Sequence, residues 1–467
     1  MSPTGNNIFI QHGDYGMTSK IKLNRFTILV YFLAGFISLF AQSQDDYILS
    51  TLKYGIDEKV NETLNKLINE KNYKYDEEIY KILLETKNSK IKETIIKYFS
   101  SKDPPDERIV TIVEDILANR DNESKEVVLA GFAYCTKLKR FGKHEILEKI
   151  LTNNEKDYVL PVIKLIGAAK LQIFTEKLLA LYESSEVSQE VKLEALLALA
   201  ELQTQEALAL FKKIINRGED AGKVERMYAC AGLGKLKSAE AIELLAKALS
   251  QKDPNVRGSA VKALAEIGTQ EVFPYIVQSL RDSHVIPRLA AVQAVGDLKI
   301  TQAIPYLEYQ FKQDPEKKVK EQAIIALGKI GSDACREILV HAITDDKTPD
   351  VYRALVFSVF VENFGDKYEK GSPVLEFFIK AMNDKTRTLF TEITRKIFTS
   401  SNLNFVPFVV LLLDDKDFTM RLNALVWIER NKLKDFLDKI QQMSETDPVE
   451  NVRKKAQTVY ENLNSGY

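Results

Sequence analysis

The sequence predicts an all-α protein, an α-solenoid built as a right-handed superhelix of stacked helical hairpins. Two observations predict this fold: a small residue returns at a nearly fixed interval, and each interval carries two amphipathic helical patterns. A single hairpin cannot bury its apolar faces alone, whereas stacked copies bury a continuous core. The small residue is alanine, at intervals of 31 to 34 residues in the centre: Ala195, Ala229, Ala260, Ala291 and Ala323.

The first helix of each repeat is predicted to begin after an aspartate, as in Asp253-Pro254. Aspartate caps a helix N-terminus, and proline is tolerated in the first turn because its missing N–H is not needed there. An apolar stripe with helical spacing follows: Val256, Ala260, Ala263, Leu264 and Ile267. Glycine permits the positive φ that ends a helix, so three glycines are predicted to end first helices: Gly167, Gly268 and Gly331.

The second helix of each repeat is predicted over segments such as 272–280 and 303–311. Pro274 and Pro305 stand early in these segments, where proline costs a helix little. The apolar segment 405–413 has the same form, with Pro407 near its start, and is predicted to be another second helix. No segment of any length has the alternation expected of a β-strand.

The central motif carries a resemblance to a known family. The pattern Asp-Pro-x-Val-Arg, followed by Ala-x-x-Ala-Leu-x-x-Ile-Gly, resembles HEAT repeats, in particular the short kind associated with phycobilisome lyases. The resemblance is close over Glu186–Asp346 and recognisable over Asp417–Asn464, whereas Asn88–Ser100 and Asn122–Lys137 look like degenerate first helices. At this period the chain would hold about 13 repeats.

The chain is predicted to have four parts. Residues 1–43 are predicted to be a signal peptide, because basic residues precede an apolar run of about 15 residues and a small-residue cleavage site. Met17 is a possible true start, and an uncleaved membrane anchor is the alternative. Residues 44–185 are predicted to form divergent helical repeats, 186–346 well-formed repeats, and 347–467 divergent repeats continuous with the same solenoid.

Composition argues against several kinds of chemistry. The formal net charge is -1, which is unusual for a nucleic-acid-binding protein. The resemblance also suggests enzymes to consider: deoxyhypusine hydroxylases hold iron with several His-Glu pairs, and this chain has one, His144-Glu145. HEAT-like DNA glycosylases use a basic groove with aromatic residues, which the charge and the single tryptophan, Trp427, oppose. We therefore expect no catalytic residue, no cofactor, no metal and no nucleic acid, with a small remaining chance of a lyase-type activity.

An aspartate and a basic residue recur in each well-formed repeat. One interpretation is a ladder that binds a charged ligand; the other is that each aspartate caps its helix and each basic residue bridges to the neighbouring repeat. In HEAT proteins, the family resembled, such ladders are structural, and we favour that interpretation. The pairs are Asp253 with Arg257, Asp282 with Arg288, Asp314 with Lys320, Asp417 with Arg421, and Asp447 with Arg453.

The second helices supply the candidate binding residues, because in the family resembled they usually line the concave face. Aligning them gives a row that is polar and changes along the chain: Lys213, Lys247, Gln278, Tyr309 and His341. The row one turn earlier is apolar throughout, which packing between repeats explains: Leu210, Leu244, Tyr275, Tyr306 and Ile338. From it we add Tyr275 and Tyr306 to the candidate site, since tyrosine is favoured in interfaces. These seven residues are the predicted protein-binding site. The competing interpretation is a merely solvated face.

The function predicted from these features is a non-catalytic scaffold for protein–protein interaction, exported to the periplasm or the cell surface of a bacterium. It would bind a protein partner on the concave face and would meet a membrane only through an uncleaved signal anchor. One alternative is a lyase-like or other enzyme that uses the groove as a ligand pocket. A second alternative is an architectural component of the cell envelope.

Overall fold

A computed structural model describes residues 44–365, 368–384 and 386–465. These residues are α-helical with short connections and no β-strand, which confirms the predicted all-α class. The signal peptide predicted at 1–43, with its alternative start at Met17, lies outside the described residues. Helix α1 covers 44–54. The remaining helices are α2 Asp57–Asn69, α3 Asp76–Glu85, α4 Ser89–Ser101, α5 Val110–Ala118, α6 Lys125–Leu138, α7 His144–Thr152, α8 Val159–Ala168, α9 Thr175–Glu183, α10 Gln189–Leu202, α11 Gln205–Arg217, α12 Lys223–Leu236, α13 Ala239–Ala248, α14 Pro254–Ile267, α15 Phe273–Ser279, α16 Val285–Asp297, α17 Ile304–Gln313, α18 Lys317–Ile330, α19 Asp333–Thr344, α20 Asp350–Phe364, α21 Pro373–Asn383, α22 Thr388–Thr399, α23 Val406–Leu412, α24 Phe418–Arg430, α25 Leu437–Thr446 and α26 Glu450–Ser465.

The helices form stacked pairs. From α2 onward the even-numbered helices are the first helices of the repeats, and the odd-numbered helices are the second helices. The described residues divide into two units, one that ends at residue 165 and one that begins at residue 166, and the division falls within α8. In the first unit α2 packs against α4 and α4 against α6; in the second unit the first helices from α10 to α20 pack against one another in succession. The described residues contain helices α1 to α26, a number that agrees with about 13 two-helix repeats.

Helix α14 shows how the sequence starts a first helix. The Asp253 side chain accepts a hydrogen bond from the backbone N–H of Asn255 at 2.8 Å, and Pro254 occupies the first turn, as predicted. Pro274 and Pro305 likewise stand in the first turn of α15 and α17. Because the backbone N–H groups of the first turn have no acceptor within the helix, proline, which lacks this donor, begins the helix without breaking it.

The predicted glycine ends are confirmed at two positions and wrong at the third. Gly268 and Gly331 end α14 and α18 with φ of 72° and 67°. Gly167 instead lies inside α8, and the positive φ after that helix belongs to Lys170. The physical reason is packing, because a Cβ built on Gly167 would lie 3.0 Å from the Cα of Ala198. Gly167 is therefore needed for the close approach of α8 and α10.

The core contains the single tryptophan and the three cysteines of the chain. Trp427 is 2% exposed in α24, and its Nε1 donates a hydrogen bond to the carbonyl oxygen of Ser400 at 2.7 Å. Cys135, Cys230 and Cys335 are buried free thiols. Burial raises the pKa of Cys230 to about 12, so this thiol stays protonated and unreactive at neutral pH.

Among the described helices, none combines the length and hydrophobicity that a bilayer-spanning helix needs.

Candidate functional site

The predicted row of binding residues lies on five second helices of the second unit. Each of its members is exposed, and Tyr309 has an exposed fraction of 67%. We call the exposed surface of α11, α13, α15, α17 and α19 the second-helix face. The row places one side chain per helix on this face, in the order Lys213, Lys247, Gln278, Tyr309 and His341.

The row one turn earlier divides into packing and surface positions. Leu210 and Leu244 are buried, with exposed fractions of 6% and 7%. Tyr275 is half-buried, and Tyr306 is 37% exposed one turn before Tyr309 on α17. Aromatic surface on the second-helix face is therefore concentrated on α15 and α17, where tyrosine offers both apolar area and a hydroxyl group to a partner.

Clefts open between successive second helices at these tyrosines. A cleft of about 440 Å³ between α13 and α15 is lined by Tyr275, Gln278 and Arg281. The next cleft, of about 480 Å³ between α15 and α17, is lined by Arg281, Tyr306 and Tyr309. Arg281 contributes to both clefts, so they are neighbouring parts of one surface. The structure thus brings four of the seven predicted site residues together around an arginine that sequence reasoning missed.

The two lysines of the row bind other side chains of the same protein. Nζ of Lys213 lies 3.2 Å from a carboxylate oxygen of Glu183. Nζ of Lys247 donates a hydrogen bond to the side-chain oxygen of Asn216 at 2.9 Å. Lys213 lines a separate cleft of about 370 Å³ on α11. Neither lysine lines the clefts that hold the tyrosines, so the two lysines are a weaker part of the candidate site than their sequence positions suggested.

Ion pairs connect successive repeats of the second unit. Arg257 binds Asp282 with two hydrogen bonds of 2.7 and 2.8 Å, and Arg421 binds Asp447 at 2.8 and 2.9 Å. In each case the arginine belongs to one repeat and the aspartate follows the second helix of that repeat, at the start of the next. Nη1 of Arg257 also donates to the carbonyl oxygen of Gln251 at 2.9 Å. Each arginine therefore binds the turn that precedes its own helix and the turn that leads to the next repeat.

The aspartates of these pairs are held in the charged form. Burial opposes ionisation of Asp282, but hydrogen bonds from Arg257 and from the backbone N–H of His284 outweigh burial and lower the pKa below its ordinary value. Burial likewise opposes ionisation of Asp447, whose pKa is lowered by Arg421 and by the backbone N–H of Val449. Paired and hydrogen-bonded charges of this kind connect the repeats and leave little capacity for a ligand.

Arg257 and Arg288 bridge to the start of the next repeat, as the favoured interpretation of the ladder states, and do not form ion pairs with the aspartates that precede them in their own repeats. Asp253 accepts hydrogen bonds from Asn255 and lies in no ion pair that involves Arg257. Lys320 donates to the carbonyl oxygen of Lys312 at 3.2 Å, while Asp314 pairs with the arginine of the preceding repeat. Arg453 donates to the backbone carbonyl of Asp447. The reason is position: the bridging aspartate stands two residues before the residue that caps the next helix.

That position also identifies ladder members that sequence reasoning missed. Arg387 binds both carboxylate oxygens of Asp415, at 2.8 and 2.9 Å, while Asp417 caps α24. Arg226 donates to the side-chain oxygen of Gln251 at 2.8 Å, and Gln251 stands two residues before Asp253. A search for Asp or Gln two residues before each predicted cap, and 25 to 28 residues after an arginine, would have found both pairs.

Two of the three histidines in the described residues stand at helix starts, whereas His341 lies in the last turn of α19. Nδ1 of His284 accepts a hydrogen bond from the backbone N–H of Ile286 at 3.2 Å, so His284 caps α16. Nε2 of His144 lies 3.0 Å from the carbonyl oxygen of Phe141, next to the start of α7. In the part of the chain that the structure describes, no group of three or more His, Cys, Asp or Glu side chains could hold a metal ion.

Comparison with protein families decides the assignment. Residues 52–459 match the family described as Spirochaete HEAT repeat protein. The chain belongs to this family. The HEAT repeats inferred from the Asp-Pro motif are confirmed, and they extend through the divergent parts of the chain as well as its centre. The export predicted from residues 1–43 remains a prediction.

Two curated proteins are similar to parts of this HEAT-repeat chain. One is the phycocyanobilin lyase subunit alpha of Synechococcus elongatus, 32% identical over 120 residues, which are 24% of this chain and 44% of that protein. The other is the uncharacterized phycocyanin operon protein Z of Pseudanabaena tenuis, 26% identical over 155 residues, which are 32% of this chain and 74% of that protein. The chain thus spans less than half the length of the lyase subunit that it matches.

Two solved structures are similar to this chain at low sequence identity. The complex of CpcE and CpcF of phycocyanin lyase from Nostoc contains a chain 19% identical, with a TM-score of 0.30, covering 62% of this chain and 94% of that one. Kap121p bound to Nup53p is 10% identical, with a TM-score of 0.39, covering 89% of this chain and 51% of that one.

Proposed function

We propose that this HEAT-repeat protein is a non-catalytic scaffold that binds another protein on its second-helix face. The observation that carries the proposal is the pair of adjoining clefts lined by Tyr275, Tyr306 and Tyr309 around Arg281. Tyrosine and arginine are the side chains most enriched in protein–protein interfaces. Stacked repeats also present an extended surface on which several such clefts act together.

The proposed location is the cell envelope or the outside of the cell, bacterial and periplasmic or surface-associated. The support for it is the basic stretch, apolar run and small-residue site within residues 1–43. Determining the N-terminal residue of the protein recovered from cells tests this proposal directly. A protein that starts near Gln44 supports cleavage and export, whereas an intact apolar run in a cytosolic fraction contradicts it.

A lyase-like activity is the second candidate, because 120 residues of the chain are 32% identical to a phycocyanobilin lyase subunit. Titrating the full chain with phycocyanobilin and recording its visible absorbance separates the two candidates. The scaffold proposal predicts an unchanged spectrum, whereas a shifted and saturable spectrum favours the lyase-like function. An architectural role in the envelope, the third candidate, predicts no localised contact on the second-helix face.

Site-specific cross-linking tests the scaffold proposal. A photoreactive amino acid is placed at Gln278 on α15 or, as the matched control, at Gln293 on α16; both glutamines are exposed. The proposal predicts a discrete protein adduct in native cells from position 278 and none from position 293. Equal adducts from both positions, or none from position 278, would contradict it. Charge reversal of Lys213 and Lys247 provides a second test, and unchanged partner binding would remove both lysines from the site.

A further inference from the structure

The cleft between α15 and α17 is lined by a different set of side chains from the neighbouring clefts. It holds about 480 Å³ and is lined by Arg281, Tyr306, Tyr309 and Gln310, with the pair Arg288–Asp314 beside them. We call it the α15–α17 cleft. Besides the ion pair Arg288–Asp314, its lining combines one further cation, two aromatic rings and a buried amide.

Arg281 is the unneutralised charge of this lining. The other two charged residues of the cleft, Arg288 and Asp314, neutralise each other at 2.9 Å. Basic residues elsewhere on the second-helix face are engaged as well: Lys312 pairs with Glu308 at 2.6 Å, and Lys213 pairs with Glu183. No ion pair or hydrogen bond within the described residues involves the Arg281 guanidinium, which is exposed. The charge that complements the cleft is therefore negative.

Gln310 gives the cleft an unused hydrogen-bond acceptor. The side chain is 3% exposed, and its Nε2 donates to the carbonyl oxygen of Leu280 at 2.7 Å. Its Oε1 is buried with no hydrogen-bond partner in the described structure. Leaving a buried acceptor without a donor is destabilising, because the atom loses its hydrogen bonds to water and gains none in return. Packing does not require an amide here, because the equivalent positions in the neighbouring repeats hold small residues: Ala248, Ser279 and Ala342.

We infer that the α15–α17 cleft binds an acidic peptide segment of the partner protein. An Asp or Glu carboxylate of the segment pairs with the guanidinium of Arg281, since arginine binds carboxylates with two parallel hydrogen bonds. A neighbouring apolar residue packs on Tyr306 and Tyr309, and a backbone N–H of the segment is the donor that Oε1 of Gln310 lacks. This inference rests on the proposed scaffold function and adds the chemistry of the partner.

Selection from a library tests the inference. A random nine-residue peptide library is panned against the full chain, and the selected pool is sequenced. The expected result is an enrichment of Asp and Glu of at least about threefold over the input library. Arg281→Glu should abolish this enrichment, and Gln310→Met should weaken binding of the selected peptides severalfold. Lys262→Glu is the matched control, because it makes the same charge change at an exposed position on α14 and should leave the enrichment intact.

The outcomes separate this inference from the proposed function. A pool without acidic enrichment, an empty pool, or an enrichment that survives Arg281→Glu would overturn the acidic-peptide inference. Preference for a fluorescent single-stranded oligonucleotide over the acidic peptides would overturn it as well. Each of these results leaves the cross-linking test at Gln278 to decide the scaffold function independently. Thermal melting monitored by circular dichroism verifies that each variant is folded before panning.

Discussion

Arg288 and Asp314 join two successive repeats through a bidentate ion pair, in which Nε and Nη2 lie 2.9 and 3.0 Å from separate carboxylate oxygens. Nη1 of the same arginine donates to the carbonyl oxygens of Asp282 and Ser283, at 3.0 and 3.1 Å. Asp314 is 5% exposed, so the pair is largely removed from water. One guanidinium therefore satisfies the turn that precedes its own helix and fixes the start of the next repeat.

Removing this arginine should destabilise the second unit. Arg288→Met is expected to lower the free energy of unfolding by about 3–5 kcal/mol, because Asp314 remains buried without its partner. Urea denaturation followed by circular dichroism measures the change. Lys312→Met is the control, since it breaks an exposed pair with Glu308 that contributes less than about 1 kcal/mol. Similar losses in the two variants would contradict a structural role for the Arg288–Asp314 pair.

The ion pairs between repeats also make the free energy of unfolding depend on pH. The pKa of Asp447 lies below its ordinary value in the folded protein, so its ionised form contributes stability above about pH 4, the ordinary Asp pKa. That contribution is lost as the pH falls through the lowered folded-state pKa.

Asp447→Asn should therefore destabilise the protein at pH 7. The difference from the unmodified protein should shrink at pH values below about 4, because the aspartate itself becomes protonated there. Urea midpoints measured from pH 7 to pH 2 test this. A difference between the two proteins that stays constant over the whole range would show that the ionised carboxylate is not what stabilises the fold.

The repeat architecture could be predicted from the sequence because its determinants are local. Asp253 and Pro254 start a helix through contacts within three residues, and Gly268 ends it through its own φ angle. The same local argument predicted that Gly167 ends a helix, and that prediction is wrong. Gly167 lies inside α8, where the absence of a side chain allows α10 to approach closely. A close approach between helices leaves no local pattern that distinguishes it from a helix end.

The candidate site was only partly predictable for a related reason. Tyr275, Gln278, Tyr306 and Tyr309 share a helical register, which a repeat alignment detects. Arg281 continues the three-residue spacing of Tyr275 and Gln278 but lies beyond the end of α15, where an alignment of helices stops, and it enters the site because two clefts meet beside it. The sequence indicated that the basic residues bridge to a neighbouring repeat but not which aspartate each of them binds, because stacking brings together side chains about 26 residues apart, as in Arg421 and Asp447.

The ends of the first helices offer the last prediction. Lys237 follows α12 with φ of 51°, in the left-handed conformation that Gly268 provides after α14. A residue with a side chain costs about 1–2 kcal/mol in this conformation, and glycine avoids that cost. Glycine also makes the unfolded chain more flexible, which favours unfolding and cancels part of the gain. Lys237→Gly is therefore expected to raise the free energy of unfolding by about 0.5 kcal/mol. Lys262→Gly, inside α14, should instead lower it by about 1 kcal/mol. Denaturation midpoints that move in the same direction for both variants would contradict the assignment of Lys237 as a strained helix end.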